Sequence, residues 1–333
     1  MKILYHLTTL PPKIPQAEAL SQEIAALRGA FGGKLNYINP NQISPIPLPR
    51  LLFGFQQLNR LRRAESQFSL HHFYNPDAFP FPVLRFLRRP VIYTITSGAG
   101  AKRPDLSYFS KLAAVAVSDE RSFRRLQQWG LRNVYRVQPG IDTSRFTHTP
   151  LPLQTKIHLL AASAPWTKAQ FESKGINALL QAAKQEPRLH ITFLWRGVLA
   201  EEMRQRVEAL TLSSQISVIN KLVDVNQALA KVHAAIVLAN REGIVKSYPH
   251  SLLDSLAAGK PVLVSRAIPM ADFVEASGCG VVVERLNASH ILQAAAKLTD
   301  HYQAIQEATL ERDRQDFSLE AMIASYQELY RKV

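Results

Sequence analysis

Two carboxylates stand close together in the sequence, one on each side of a predicted helix start. Glu242 lies in a polar loop after the apolar run 234–238, which is short and partly β-branched, as in a buried parallel strand. Asp254 lies inside the helix predicted over 249–258. Free N–H groups and the helix dipole make the start of such a helix, near Ser251, a site for an anion such as phosphate.

A lysine stands at a second junction of loop and helix. Lys174 and Gly175 precede a stretch with helical spacing of apolar residues. An ammonium group in that position suits a phosphate as a point charge. The alternative is a solvated lysine at the start of a helix.

For these two junctions to form one site, the fold must bring loops that are distant in the sequence close together. Strands and helices alternate along the chain in two series, which predicts an α/β protein with two Rossmann-like, doubly wound parallel sheets. We place the first domain at residues 1–148 together with a crossing helix at 318–333, and the second at 149–317. Residues 147–155, which contain Pro150 and Pro152, read as the linker.

Three stretches resemble retaining glycosyltransferases of family 4, which have the GT-B fold. Glu242-Gly243 is followed by Leu253-Asp254-Ser255-Leu256-Ala257-Ala258-Gly259-Lys260-Pro261-Val262, in the order of the family's donor-binding stretch. Gly140-Ile141-Asp142 with Phe146 is similar to the signature that closes the family's first domain, and Lys174-Gly175 to the opening of a later helix. The resemblance covers most of the chain.

The resemblance implies a metal-independent transferase of hexosyl type. It would move a sugar from a nucleotide-diphosphate donor, as co-substrate rather than bound cofactor, to an acceptor hydroxyl of a lipid or cell-surface glycan precursor. It assigns catalytic roles to Glu242 and Lys174. The donor-binding residues would be Lys174, Lys168, Arg196, Glu242, Gly243, Ser251, Leu252 and Asp254, and the acceptor side of the cleft would hold Thr96, Ser97 and Gly98.

A catalytically degenerate sugar-nucleotide-binding protein of the same fold is the alternative. The loop after the first strand, residues 12–18, lacks the paired glycines of the family, and Thr96 stands about where the family often has a histidine. The second acid is Asp254 rather than glutamate. Another enzyme on the same fold, such as an epimerase or a phosphorylase, is a third class.

The positive charge is concentrated in the first half of the chain. Residues 1–150 contain 20 Lys/Arg and 8 Asp/Glu, a balance of +12, whereas residues 151–333 carry only +2 of the total +14. Arginines cluster at 50–63 and 85–89. We expect this half to meet an anionic membrane surface, with 50–63 as either a basic amphipathic helix or a core-facing helix with a solvated rim.

Several classes of protein are excluded or disfavoured. No apolar run reaches the roughly 18 residues of a membrane helix, and no signal peptide is apparent, so we expect a cytoplasmic protein, peripheral at the inner membrane face. The single cysteine, Cys279, excludes an intrachain disulfide. No Asp-x-Asp, P-loop or zinc-ligand spacing occurs, and the aromatic residues are not interleaved with basic ones as in nucleic-acid-binding proteins.

Overall fold

In the computed structural model, which describes residues 2–12, 14–15, 18–42, 46–195, 198–311 and 314–333, the chain forms two compact units. The first consists of Met1–Gly140 and Leu319–Val333, and the second is Ile141–Ser318. The first unit therefore ends eight residues before the boundary that we placed after residue 148. The physical reason is that Ile141 and Phe146 pack into an apolar cluster of the second unit, and the Ile141 N–H donates to the Phe317 carbonyl oxygen at 2.8 Å.

The first unit contains a six-stranded sheet in the order β2-β1-β3-β4-β5-β6, parallel in every described pair. Its strands are β1 (Ile3–Leu7), β2 (Gly33–Tyr37), β3 (Leu70–Asn75), β4 (Val91–Ile95), β5 (Ala114–Val117) and β6 (Val134–Arg136). Its α-helices up to residue 140 are α1 (Ala19–Phe31), α2 (Leu58–Ala64), α3 (Leu106–Phe109) and α4 (Glu120–Gln128).

The second unit contains a six-stranded parallel sheet in the order β12-β11-β10-β7-β8-β9. Its strands are β7 (Ile157–Ala161), β8 (Leu189–Leu194), β9 (Ile216–Ile219), β10 (Ala234–Val237), β11 (Val262–Ser265) and β12 (Gly280–Val283). Its helices are α5 (Gln170–Ser173), α6 (Ile176–Gln185), α7 (Ala200–Ala209), α8 (Val225–Leu229), α9 (His250–Ala257), α10 (Met270–Ser277), α11 (Ala288–Asp300) and α12 (Tyr302–Leu310).

The strands of the second sheet are apolar at successive positions because both faces of the sheet are covered. Leu159 packs into one apolar cluster and Leu160 into another, since neighbouring side chains point to opposite faces of a strand. Ile236 and Val237 divide between the same two clusters. The predicted fold class, two doubly wound parallel sheets, is therefore confirmed.

The last helix, α13 (Leu319–Arg331), returns to the first sheet. Met322, Tyr326 and Tyr330 pack into an apolar cluster with β1 and β3 residues. His72 of β3 is fully buried, with Nδ1 2.7 Å from the Tyr330 hydroxyl and Nε2 2.7 Å from Thr94 Oγ1. Burial lowers the pKa of His72 to about 3, so the ring is neutral at pH 7 and can both donate and accept.

The basic stretch 50–63 is not the single helix that both of our alternatives, a basic amphipathic helix and a core-facing helix with a solvated rim, required. Two 3₁₀ turns, Arg50–Leu52 and Phe55–Gln57, precede α2. Gly54 separates them in the left-handed region, at φ 86°. Leu51 and Leu52 are exposed, whereas Leu61 is buried. The leucines at helical spacing in this stretch, which a single helix would place on one face, are therefore divided between solvent and core.

The second unit buries one lysine completely. Lys260 lies between α9 and β11 with no exposed surface, and its Nζ has no hydrogen-bond partner among the described residues. Burial lowers the pKa of Lys260 to about 8, because a charged ammonium group is costly in an apolar environment.

Replacing Lys260 with Met is expected to raise the free energy of unfolding at pH 7 by roughly 3–4 kcal/mol, since the pKa falls from 10.5 to about 8 and one pKa unit corresponds to about 1.4 kcal/mol. The folded-state pKa lies below the unfolded value, so the cost is fully present below pH 8 and is relieved as the pH rises to 10.5. Urea unfolding between pH 7 and 10.5 measures this. The exposed Lys221→Met is the control, and equal stabilities of wild type and K260M at pH 7 would contradict the prediction.

Candidate active site

The second sheet has a topological switch point between β7 and β10. The chain runs from β7 outward to β8 and β9, then returns to place β10 beside β7 and continues outward through β11 and β12 on the other side. In open parallel sheets the loops that leave two such strands diverge, and the crevice at their carboxyl ends is where ligands bind. The predicted donor-side residues that the structure describes follow these two strands.

Lys174 and Gly175 form the junction between α5 and α6. Gly175 has φ 69°, and a Cβ atom there would lie 2.9 Å from Leu238 Cβ and 2.6 Å from Leu286 Cδ1. Glycine is therefore required both by the left-handed backbone and by close packing against the end of β10. Lys174 is 8% exposed, and its Nζ donates a hydrogen bond to the Ala164 carbonyl oxygen at 2.8 Å.

A backbone hydrogen bond joins the Lys174 junction to the loop that carries Glu242. The Asn240 N–H, just after β10, donates to the Ser173 carbonyl oxygen at 3.0 Å. The same loop is attached to β11, because the buried Ser265 Oγ accepts from the Ala239 N–H at 2.8 Å and donates to the Ala239 carbonyl oxygen at 2.9 Å. The structure thus brings Lys174 and Glu242 to one edge of the sheet.

Glu242 and Gly243 form the turn after β10. Glu242 is half-buried. Gly243 has φ 87°, and a Cβ atom added there would meet Arg241 Nη1 as its nearest heavy atom, at 3.9 Å. Conformation rather than crowding therefore requires glycine at this position.

The helix α9 begins one residue later than we predicted, because Pro249 is the N-cap and His250 the first helical residue. Among the described residues, no side chain caps this end with a hydrogen bond. Leu252 is buried, while Ser251 and Asp254 are half-buried. The predicted helix and its position after the Glu242 loop are as expected, and its Leu252 and Leu253 N–H groups donate to the Pro249 carbonyl oxygen at 3.0 and 3.2 Å.

A lysine and a histidine to which the sequence assigned no role meet at this helix start. Lys246 Nζ lies 3.4 Å from His250 Nε2, four residues apart. His250 is 9% exposed. The pair adds a cation beside the N-terminus of α9, where the helix dipole also favours negative charge. The spacing alone did not reveal it, since the loop between them is irregular.

Of the two further predicted donor-site cations, the structure describes Lys168. Lys168 is exposed and forms an ion pair with Glu202 of α7, with Nζ 3.1 Å from Oε2. Arg206 also pairs with Glu202, at 2.8 Å. Arg196 lies outside the described residues. Lys174 is therefore the predicted cation that the described structure places directly beside the Glu242 loop.

The predicted acceptor-side residues follow β4 in the first unit. The Thr96 N–H donates to the Asn75 carbonyl oxygen at 2.9 Å, the Ser97 N–H donates to that of Pro76 at 3.0 Å, and Gly98 adopts φ 92°. Thr96 and Ser97 are buried. They lie beside the carboxyl end of β3, next to the switch point between β1 and β3.

An ion pair that the sequence analysis missed occupies the same edge of the first sheet. Arg50 Nη2 lies 2.6 Å from Asp77 Oδ1 and donates to Asn75 Oδ1 at 3.3 Å. The guanidinium group also lies 4.1 Å from the centre of the Phe79 ring. These partners are at least 25 positions apart in the sequence, so no local pattern predicts their contact.

Metal-binding clusters and membrane spans are both absent from the described part of the chain. No three His, Cys, Asp or Glu side chains are grouped there so that they could hold a metal ion. Among the same residues, no helix combines the length and apolar character of a membrane span.

A protein-family model matches most of the second unit. Residues 167–312 match the family described as glycosyl transferases group 1. This segment contains Lys174, Glu242, Ser251 and Asp254. No curated protein sequence matches. The resemblance that the motifs predicted is thereby confirmed for this segment.

Solved structures show the same fold over the whole chain. The HepE protein of Anabaena in complex with UDP has a TM-score of 0.74 at 13% identity and covers 100% of both chains. Sucrose-phosphate synthase from Thermosynechococcus elongatus has a TM-score of 0.74 at 15% identity, covering 100% of this chain and 99% of its own. The lipopolysaccharide outer core galactosyltransferase WaaB has a TM-score of 0.69 at 10% identity, covering 100% of both. The fold is GT-B.

Replacing Gly175 with Ala is expected to lower the free energy of unfolding by about 2–4 kcal/mol, because it adds left-handed strain and a clash with Leu238. Gly29→Ala is the matched control, since no heavy atom of the described residues lies within 4 Å of the added Cβ. Gly29 lies inside α1, so its replacement should stabilise by roughly 0.5–1 kcal/mol. Urea unfolding measures both, and similar effects of the two variants would contradict the packing argument.

Proposed function

We propose that this protein is a retaining glycosyltransferase of hexosyl type that moves a sugar from a nucleotide-diphosphate donor to an acceptor hydroxyl. The observation that carries the proposal is the convergence of the Lys174 junction, the Glu242 loop and the start of α9 at one switch point. The segment that matches the glycosyl transferases group 1 family contains all three. Each supplies a group that this chemistry requires.

The diphosphate would bind at the cationic side of the switch point. Lys174 would contribute a positive charge, and the positive end of the α9 dipole, near Ser251 and Leu252, would favour an anion there. Lys246, beside His250, adds a second charge there. Stabilising the charge that develops on the diphosphate as the glycosidic bond breaks lowers the barrier to transfer. Lys168 would contact the diphosphate only after its ion pair with Glu202 breaks. Arg196 is a further candidate for binding the diphosphate.

The carboxylates would hold the rest of the donor. Glu242 and Gly243 lie in the turn beside Lys174, where the carboxylate can accept hydrogen bonds from sugar hydroxyls and fix the reactive pose. Asp254, one turn into α9, would accept hydrogen bonds from the two hydroxyls of the ribose. The acceptor hydroxyl, of a lipid or glycan precursor, would come from the side of Thr96, Ser97 and Gly98.

A donor screen tests the proposal. HepE of Anabaena was crystallised with UDP and with UDP-glucose, so these are the first ligands to try. A donor that binds the native state raises the melting temperature. Chromatography of the products then detects transfer to an acceptor or hydrolysis of the donor. Binding of nucleotide sugars without turnover would instead support the alternative, a degenerate sugar-nucleotide-binding protein.

Replacing the two carboxylates is expected to impair different steps, turnover for Glu242 and nucleotide binding for Asp254. Glu242→Gln should mainly lower kcat, because it removes the charge that orients the sugar. Asp254→Asn should weaken nucleotide diphosphate binding about ten- to a hundredfold, since losing a charged hydrogen bond costs about 1.5–3 kcal/mol. Calorimetric titration and steady-state kinetics separate the two effects, and each variant is the control for the other. Unchanged nucleotide affinity in Asp254→Asn would leave Asp254 with a structural role in α9.

Transfer is proposed to need no divalent metal, since the sequence holds no Asp-x-Asp to bind a metal against a diphosphate. Turnover should be the same within twofold in excess chelator and in added magnesium or manganese. Loss of turnover in chelator that either metal restores would overturn this part of the proposal.

We also propose that the first unit associates with anionic membranes, at the inner face of a cytoplasmic membrane. The arginines of α2 and of residues 85–89 support this, because Arg62 Nε donates to the Phe86 carbonyl oxygen at 3.0 Å and so joins the two basic stretches. Each basic residue near an anionic surface contributes roughly 1 kcal/mol. Sedimentation with vesicles should show binding that requires anionic lipid and weakens with salt. Equally weak sedimentation with anionic and neutral vesicles at low salt would contradict it.

A further inference from the structure

The first sheet carries an open cavity at its amino edge, opposite the edge that holds Thr96. The cavity has a volume of about 430 Å³ and is lined by Lys2, Ser66, Gln67, Phe68, Ser69 and Arg89. Lys2 precedes β1, Ser69 precedes β3 and Arg89 precedes β4, three strands that are neighbours in the sheet. The sheet order therefore brings these residues together from stretches up to 87 positions apart in the sequence.

The backbone around the cavity is held by hydrogen bonds. The Ser69 N–H donates to the Lys2 carbonyl oxygen at 2.8 Å. The Arg88 and Arg89 N–H groups donate to Glu65 Oε1 at 2.6 and 3.3 Å, and Arg89 Nε donates to the Glu65 carbonyl oxygen at 3.2 Å. The guanidinium group of Arg89 is thus oriented through Nε, which leaves its two Nη groups to bind something else.

The charge around the cavity is strongly positive. Lys2 and Arg89 line it, and the segments that flank its lining residues add Arg62, Arg63 and Arg88. Among the described residues, none of these five cations forms an ion pair with an acidic side chain. Glu65 is the nearby acid, and it is buried, 4% exposed, with its Oε1 also 3.1 Å from His71 Nε2. Burial raises its pKa, but the hydrogen bonds from Arg88, His71 and Arg89 lower it more, so Glu65 is ionised at neutral pH.

We propose that this cavity binds a phosphate group. An ammonium, a guanidinium fork, the Ser69 hydroxyl and a side-chain amide offer donors suited to an anion rich in acceptor oxygens, and Arg matches phosphate in a bidentate manner. The Ser66 hydroxyl donates to the Arg63 carbonyl oxygen at 3.4 Å. The volume exceeds that of one phosphate, so the cavity has room for a larger molecule that carries the group. Its source is either a lipid headgroup or a soluble phosphomonoester. The site is separate from the donor site, and its test does not depend on transferase activity.

The test compares two double variants of equal charge in the full chain. Lys2→Gln with Arg89→Gln removes the two cations that line the cavity. Lys111→Gln with Arg132→Gln is the control, because both residues are exposed, lie before β5 and β6 at the same edge and do not line the cavity. Circular dichroism and melting temperature confirm that both variants fold.

The two sources of phosphate are separated by two probes. One is glycerol phosphate in solution, followed by calorimetric titration, and the other is phosphatidylcholine vesicles with and without phosphatidylglycerol, followed by sedimentation. The cavity variant should bind at least one probe tenfold or more weakly than wild type, and the control variant less than threefold more weakly. Loss with vesicles alone identifies a headgroup, and loss with glycerol phosphate identifies a soluble ligand. Equal losses in the two variants, or no binding of either probe by wild type, would overturn the proposal.

Discussion

The parallel pairing of β7 with β10 is the contact on which the candidate active site depends. Leu159 and Leu160 pair with Ala234 and Ala235, residues that lie 75 positions later in the chain. Because the chain leaves β7 in one direction and β10 in the other, a crevice forms where their carboxyl ends meet. The Lys174 junction and the Glu242 loop enter that crevice from opposite sides. Without this pairing, no local feature of either loop would bring the two together.

Buried polar contacts then make the crevice rigid. Ser265 holds Ala239 by two hydrogen bonds, and Asn240 holds Ser173 by one. Gly175 allows the Lys174 junction to approach the end of β10 more closely than any residue with a Cβ could. Binding groups that are held in place by such contacts lose little conformational entropy when a ligand arrives, which is how preorganised sites gain affinity.

The first unit divides its charge between the two edges of its sheet. At the carboxyl edge, Arg50 forms an ion pair with Asp77 and packs on Phe79. At the amino edge, Lys2 and Arg89 meet with one buried carboxylate beneath them. The cations at the amino edge suit phosphate.

The sequence by itself determined the alternation of strands and helices, because apolar runs bounded by Gly and Pro have few other interpretations. It also predicted which stretches would carry chemistry, since Lys174 and Glu242 each precede a glycine at a predicted junction and Asp254 lies in the helix that follows Pro249. These are local signals, in which the physical cause lies within a few residues of the feature. The Glu242 loop and the helix after it appear in the structure as these signals predicted.

Only the tertiary structure decided what each charged side chain faces. Lys168 pairs with Glu202, Lys246 approaches His250, and Arg50 binds Asp77, and none of these pairings follows from spacing. The stretch 50–63 looked helical by periodicity, but Gly54 takes a left-handed conformation there and lies against Val83 of a distant segment. The first unit also ends within its closing signature, at Gly140, because the Ile141 N–H donates to the Phe317 carbonyl oxygen of the second unit. Apart from Lys246 and His250, which are four residues apart, each deciding contact is made with a residue distant in the sequence, which a local pattern cannot predict.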